Sequence, residues 1–220
     1  MADLTLVMGN RNYSSWSLRP WLLMRHAGLE FREVRIALDQ PGTREKILDY
    51  SPSGRVPVLL HGTLKVWDSL AICEYVSEVL WGGRGWPRDP RVRAEARSAA
   101  CEMHAGFAGL RQELPMNCRA RDRRVTLSEE ARADVDRMCE ILESSRRRYG
   151  HDGRWLFGDF GVADAMFAPV ALRFLTYGVD TPPETRDWCR RIAEHPAITE
   201  WINAATAEAE VLEREERGRS

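Results

Sequence analysis

The sequence predicts an α+β N-terminal domain with the element order βαβαββα, followed by an all-α helical-bundle domain. Three observations predict it. Strand-like alternation and helical spacing take turns through the first 80 residues, a glycine- and proline-rich run occupies residues 81–90, and beyond it the apolar residues recur only at helical spacing. A chain of 220 residues that is 44% hydrophobic and 30% charged has room for two modest domains.

Leu4, Leu6 and Met8 alternate up to Gly9 and read as a strand. SLRPWLLMRHAG follows as a helix stopped at Gly28, and LEFREVRI as a second strand, making a βαβ unit. A short helix in EKILDY leads through SPSGR to VPVLLHGTLKVW, a hairpin turning at His61 to Thr63 around Gly62. The helix after Asp68 places Leu70, Cys73, Val76 and Leu80 on one face. WGGRGWPRDP cannot continue that helix and separates residues 1–80 from 91–220. In the second part three stripes stand out: Ala131/Val135/Met138/Leu142, Ala163/Phe167/Val170/Phe174, and Ile198/Ile202/Ala205/Ala209/Leu212. Pro169 is expected to kink the second, and EREERGRS reads as a frayed, solvated tail.

Composition narrows the function classes. A formal charge of −1 offers no global field for nucleic acid or an acidic membrane. Of the 32 basic residues only Lys46 and Lys65 are lysine, an excess of arginine that fits either coding bias or carboxylate-binding forks. Five scattered cysteines without a CxxC pair argue against a disulfide scaffold, a structural zinc or a dithiol centre, and the histidines lack HxxxH or HExxH spacing. Metal binding is therefore not expected. No leader-like start or membrane-length apolar run is present, so the protein reads as cytoplasmic.

Three places could carry chemistry. In NYSSWSLRPW, Pro20 is compatible with a helix only near its start, which puts the N-terminus at about Ser15 to Ser17, with Ser14 and Ser15 beside it. These serines suit an N-cap, or an anion site made by free amides and the helix dipole. In GRVPVLL, Pro57 immediately precedes a strand. In WDSLAICEY, Asp68 and Ser69 open a helix, again as a cap or as the holder of a ligand carboxylate.

SSxS after the first strand, VP before a later one and DS opening a helix, all ahead of a helical domain, resemble the cytosolic glutathione S-transferase superfamily over nearly the whole chain. That family pairs a thioredoxin-like domain with a helical one. SSWS followed by LR is most similar to the serine-type zeta class and related bacterial groups, in the register Ser14, Ser15, Trp16, Ser17, Arg19. The resemblance implies that glutathione is the co-substrate and that Ser14 hydrogen-bonds its sulfur, with Ser15 the close competitor. It implies a cis Val56–Pro57 bond, strand-like pairing of the Val56 backbone with glutathione, Asp68 and Ser69 at the γ-glutamyl end, and Arg55 reaching the glycyl carboxylate.

The electrophile is expected between the domains, where LRQELPMNCRARDRR supplies Met116, Asn117, Arg119 and Arg121, and Trp16 and Phe107 add apolar wall. Arginines there would attract an acidic co-substrate, although such a charge run also suits a solvated face. Two residues depart from the family's pattern. Trp16 stands where zeta enzymes carry cysteine, which weighs against their isomerase chemistry, and Gly161 stands where the helix at GVADAMFAP usually has a Ser or Thr cap, with Asp164 retained. The implied activity is conjugation of glutathione to an electrophile by a homodimer, a detoxification chemistry. Alternatives are a glutathione-dependent isomerase or dehalogenase, or a non-catalytic glutathione-binding protein of the same fold.

Overall fold

The computed structural model of the protein describes residues 3–150 and 153–218. Its N-terminal part runs β1 (Leu4–Met8), α1 (Ser15–His26), β2 (Arg32–Arg35), α2 (Thr43–Leu48), β3 (Val58–His61), β4 (Leu64–Trp67) and α3 (Ser69–Tyr75). The strands form one mixed sheet in the order β2-β1-β3-β4, with β1 parallel to β2 and the other neighbours antiparallel. β1 is buried at all five positions because both of its faces are covered. Leu4, Leu6 and Met8 point into the main core against α1 and α3, while Val7 joins Ile36, Ile47 and Val58 on the opposite face.

After α3 one wider turn, Val76–Leu80, closes with the Trp81 amide bonding five residues back to Val76. The second part contains α4 (Pro90–Ala105), α5 (Ala108–Glu113), α6 (Glu129–Tyr149), α7 (Val162–Tyr177), α8 (Pro183–Ala193) and α9 (Pro196–Thr206). α7 is the central helix: it is buried on nearly every side and packs on α1, α4 and α8, so it joins the two parts through one core.

Three local expectations change. Pro20 is the sixth residue of α1, not a first-turn residue, so the helix accommodates it by leaving the Trp16 carbonyl without its usual amide donor. The third apolar stripe ends early: α9 stops at Thr206, and Ala209 and Leu212 lie in a segment that folds back over the protein. The tail is not frayed through residue 218. Glu208 accepts from the amides of Arg11 (2.8 Å) and Asn12 (3.1 Å), and Glu216 accepts from Tyr13 Oη (2.8 Å) and Asn117 Nδ2 (2.9 Å) and pairs with Arg123 (3.0 Å).

Gly161 at the start of α7 has a steric cause. A Cβ there would collide with the carbonyl oxygen of Gly85 in the inter-domain linker. That same carbonyl accepts from the Val162 amide at 2.8 Å, so the linker satisfies the first free amide of the helix. Asp164 completes the helix start by accepting from the Gly161 amide at 3.2 Å.

Candidate active site

Both Ser14 and Ser15 are buried at the N-terminus of α1, but their hydroxyls differ in what remains free. Ser14 is the N-cap: its Oγ accepts from the Ser17 amide (3.4 Å) and donates to Ser17 Oγ (2.8 Å), which also accepts from the Gly9 amide (3.1 Å). Its proton is committed to holding the loop onto the helix. Ser15 Oγ instead accepts from Arg173 Nη2 at 3.3 Å, so its own proton is left to donate.

Arg173 belongs to a cluster of three. Arg19, from α1, is fully buried with Nε on Met166 O (3.0 Å). Arg173, from α7, is 4% exposed with Nε on Leu114 O (2.8 Å), and Arg111, from α5, is half-buried with Nε on Gly106 O (3.0 Å). The guanidiniums of Arg19 and Arg111 lie 4.1 and 4.6 Å from the Trp16 ring. Burial, then the neighbouring arginines, lower Arg19 well below its ordinary value; burial and Arg111 bring Arg173 down to about 10; burial also lowers Arg111.

Trp16 meets His104 edge-on, with ring centroids 5.2 Å apart, and His104 Nε2 lies 3.1 Å from Asp68 Oδ2. The α1 N-terminus and the start of α3 are thereby linked through one side chain of α4. Asp68 caps α3 through Oδ1 (Leu70 amide, 2.9 Å) in a backbone conformation at φ 74°, sparsely populated by non-glycine residues. Ser69 is buried, and its Oγ has no partner among the described residues. The Val56–Pro57 bond is cis, Pro57 is buried and Arg55 is exposed three residues ahead of β3.

The expected electrophile wall is only partly assembled around these groups. Phe107 and Met116 are buried in the core, and Asn117 is held by Asn12 (3.0 Å) and Glu216 (2.9 Å). Arg119 is turned toward the C-terminal segment, with donors on Glu208 O, Glu210 O and Tyr13 Oη (2.8 Å), and Arg121 folds onto the carbonyls of Cys118 and Ala120 (both 2.7 Å). The arginines nearest Ser15 and Trp16 are Arg19, Arg111 and Arg173, of which the sequence reading singled out only Arg19. A lone arginine in the apolar run MFAPVALRFLTY was the available signal for Arg173, because such a side chain is rarely buried without a purpose. Burial pushes the Cys118 thiol up to about 12, away from any nucleophilic role. A cavity of about 360 Å³ between α6 and the end of α7 lies apart from these groups, touching the cluster only at Leu114.

Comparison with known proteins converges on one family. The profile for "Glutathione S-transferase, N-terminal domain" matches residues 13–79, and that for "Glutathione S-transferase, C-terminal domain" matches residues 120–204. The chain is 28% identical over 172 residues to glutathione S-transferase 1 of Dianthus caryophyllus, covering 76% of this chain and 75% of that one. It is 23% identical over 174 residues to a probable maleylacetoacetate isomerase of Caenorhabditis elegans, covering 79% of each. Among solved structures, a glutathione transferase homolog from Burkholderia with bound glutathione superimposes with a TM-score of 0.69 at 22% identity, over 94% of this chain and all of that one.

Proposed function

The chain belongs to the glutathione S-transferase family, and from that premise we propose that it is a glutathione transferase in which Ser15 stabilises the thiolate of glutathione for attack on an electrophile. The observation that carries the reading is the 3.3 Å contact in which Ser15 Oγ accepts from Arg173. A hydroxyl already polarised by a guanidinium and retaining its own proton donates well to a negative sulfur. Ser14, the residue the family resemblance favours, is occupied as the cap.

The energetics are sufficient. A thiol of pKa about 8.5 is about 3% ionised at neutral pH, and lowering it by about two units takes about 2.7 kcal/mol. A hydrogen bond to a charged group contributes about 1.5–3 kcal/mol, and a helix N-terminus about 0.3–2. Ser69, with its buried unpartnered hydroxyl, and Asp68 are suited to the γ-glutamyl end of glutathione. The Val56 backbone suits the cysteinyl part and Arg55 the glycyl carboxylate. Trp16 contributes apolar surface on the electrophile side, whereas Phe107 and Met116 are packed in the core; Asn117 and Arg119 tie loop 115–121 to the C-terminal segment, and Arg121 braces the loop on its own carbonyls. Among the described residues no helix is long and apolar enough to cross a membrane, and a cytoplasmic homodimer is the form in which we expect the enzyme to act.

The test is calorimetry with glutathione, together with conjugation of a neutral aryl halide by the wild type, Ser15→Ala and Ser14→Ala. Ser15→Ala is expected to lower turnover about tenfold or more, the equivalent of about 1.4 kcal/mol, and Ser14→Ala to act chiefly on stability. If Ser14→Ala alone abolished thiolate formation, the hydroxyl assignment would move back to Ser14. Absence of glutathione binding would favour a non-catalytic member of the fold, and isomerisation of an acidic alkene without glutathione consumption would favour the isomerase reading.

A further inference from the structure

We infer that the cavity between α6 and the end of α7 is a second ligand site, an effector site for an apolar α-amino acid that acts on Ser15 through Leu114. Occupancy of this site does not depend on the proposed function; its effect on turnover rests on the role proposed there for Ser15.

The cavity measures about 360 Å³, within the range of about 300–1,000 Å³ usual for small-molecule sites. Its floor is apolar: Leu114 just after α5, Val125 and Leu127 from the loop before α6, Val135 from α6 and Val179 after α7. Tyr177 lines it as well, with its hydroxyl bonded to Pro115 O at 3.1 Å. An apolar side chain on a ligand would remove this surface from water.

The mouth carries charge of both signs. Arg124, Arg132 and Asp136 are exposed there, and among the described residues none of their side chains forms a hydrogen bond or an ion pair. Arg132 and Asp136 lie one helical turn apart on the same face of α6 without joining, and Arg132 reaches Glu113 only through space. Elsewhere on α6, Arg137 pairs with Glu102 and Glu140, and Arg148 with Glu95. Asp180, also at the mouth, is taken by Arg186. Two guanidiniums and one carboxylate are therefore free beside an apolar floor. A plain organic acid would match the guanidiniums but meet Asp136 as a like charge, and an amine would do the reverse. A ligand with a carboxylate, an ammonium and an apolar side chain satisfies all three.

The cavity shares a wall with the support of Ser15. Leu114, which lines it, holds Arg173 Nε through its carbonyl (2.8 Å), and Arg173 Nη2 donates to Ser15 Oγ (3.3 Å). Tyr177 stands one turn beyond Arg173 on α7 and bonds the next carbonyl, that of Pro115. A ligand packed on Leu114 and Tyr177 bears on the segment that fixes Arg173, and a shift of the Leu114 carbonyl passes to the Ser15 contact.

Calorimetry on the full chain compares L-phenylalanine with phenylpropionate, which lacks the ammonium, and with phenethylamine, which lacks the carboxylate. Phenylalanine is expected to bind once per chain in the presence of saturating, unreactive S-methylglutathione, and each analogue about tenfold more weakly. Arg132→Gln and Asp136→Asn, both at exposed positions, should each weaken phenylalanine about tenfold and leave glutathione binding unchanged. In the wild type, saturating phenylalanine should lower the conjugation of a neutral aryl halide about threefold, and in Arg132→Gln the same concentration should not.

Absence of phenylalanine binding at millimolar concentration would overturn this inference. So would its displacement by S-methylglutathione, which would put the amino acid in the γ-glutamyl site. Equal binding of phenylpropionate would overturn the ligand class. Binding with unchanged turnover, in a protein that does conjugate glutathione, would overturn the effector role and leave the proposed function standing. Binding by a protein that takes up no glutathione would remove the proposed function, and the effector role with it.

Discussion

Arg173 Nη2 donates to Ser15 Oγ at 3.3 Å, joining the central helix of the C-terminal part to the first helix of the N-terminal part. The contact holds a cation beside the hydroxyl we assign to the sulfur. Removing that cation should leave the thiolate less stable. Arg173→Gln is therefore expected to move the pH–rate profile of conjugation upward, because a thiol with less positive charge nearby ionises at higher pH. An unshifted profile with reduced turnover would mean that Arg173 positions Ser15 without tuning the sulfur.

Gly161→Ala tests the close approach of the linker to α7. The added Cβ meets the Gly85 carbonyl, which is backbone and is itself bonded to the Val162 amide, so neither atom can move freely. Overpacking of this kind costs roughly 1–3 kcal/mol, readable in urea unfolding. An unchanged midpoint would show that the linker yields.

Asp164 makes a pH prediction whose sign can be worked out. Burial raises its carboxyl to about 6 from an ordinary value of 3.8, although it accepts from the amides of Leu156 (3.0 Å) and Gly161 (3.2 Å) and from Trp188 Nε1 (3.1 Å). Between those two values the native state holds a proton that the unfolded chain has lost, so this group's contribution to stability declines as pH rises through the window. Asp164→Asn should flatten that part of the stability curve. Asp164→Ala leaves three donors without an acceptor and should cost about 3 kcal/mol or more, since each orphaned group costs about 1–3.

Glu208 holds the returning C-terminal segment with a carboxylate 7% exposed, accepting from two successive backbone amides. Glu208→Ala should destabilise the protein by about 2 kcal/mol, as expected for hydrogen bonds to a charged group. It should also speed proteolysis after Thr206. A segment equally resistant in the variant would show that Arg119 and Glu216 suffice to hold it.

Much of this was legible in the sequence because it is local. Alternation in Leu4–Met8, the glycine stop at Gly28, the hairpin around Gly62 and the stripes of α6 and α7 need only neighbouring residues, and the structure contains each of them. The stripe carried past Thr206 went wrong for a non-local reason. Ala209 and Leu212 keep helical spacing, but the carboxylates of Glu208 and Glu216 find amides, hydroxyls and guanidiniums in loops near residues 11–13 and 117–123, which a continued helix could not reach.

The site divides along the same line. By itself the sequence determined the family, the crowding of serines at a helix start, the VP and DS motifs and the excess of arginine, since all are written in short segments. Only the tertiary structure decided which serine keeps a free proton and which arginines gather beside it. Ser14 and Ser15 are chemically identical neighbours, distinguished by partners: Ser17 three residues along for one, Arg173 from a distant helix for the other. Arg119 and Arg121 looked suitable and are used elsewhere, whereas Arg111 and Arg173 acquire their meaning from lying beside Arg19 and Trp16. Burial and charge proximity are properties of the folded arrangement, and they turn three ordinary arginines into one cationic site.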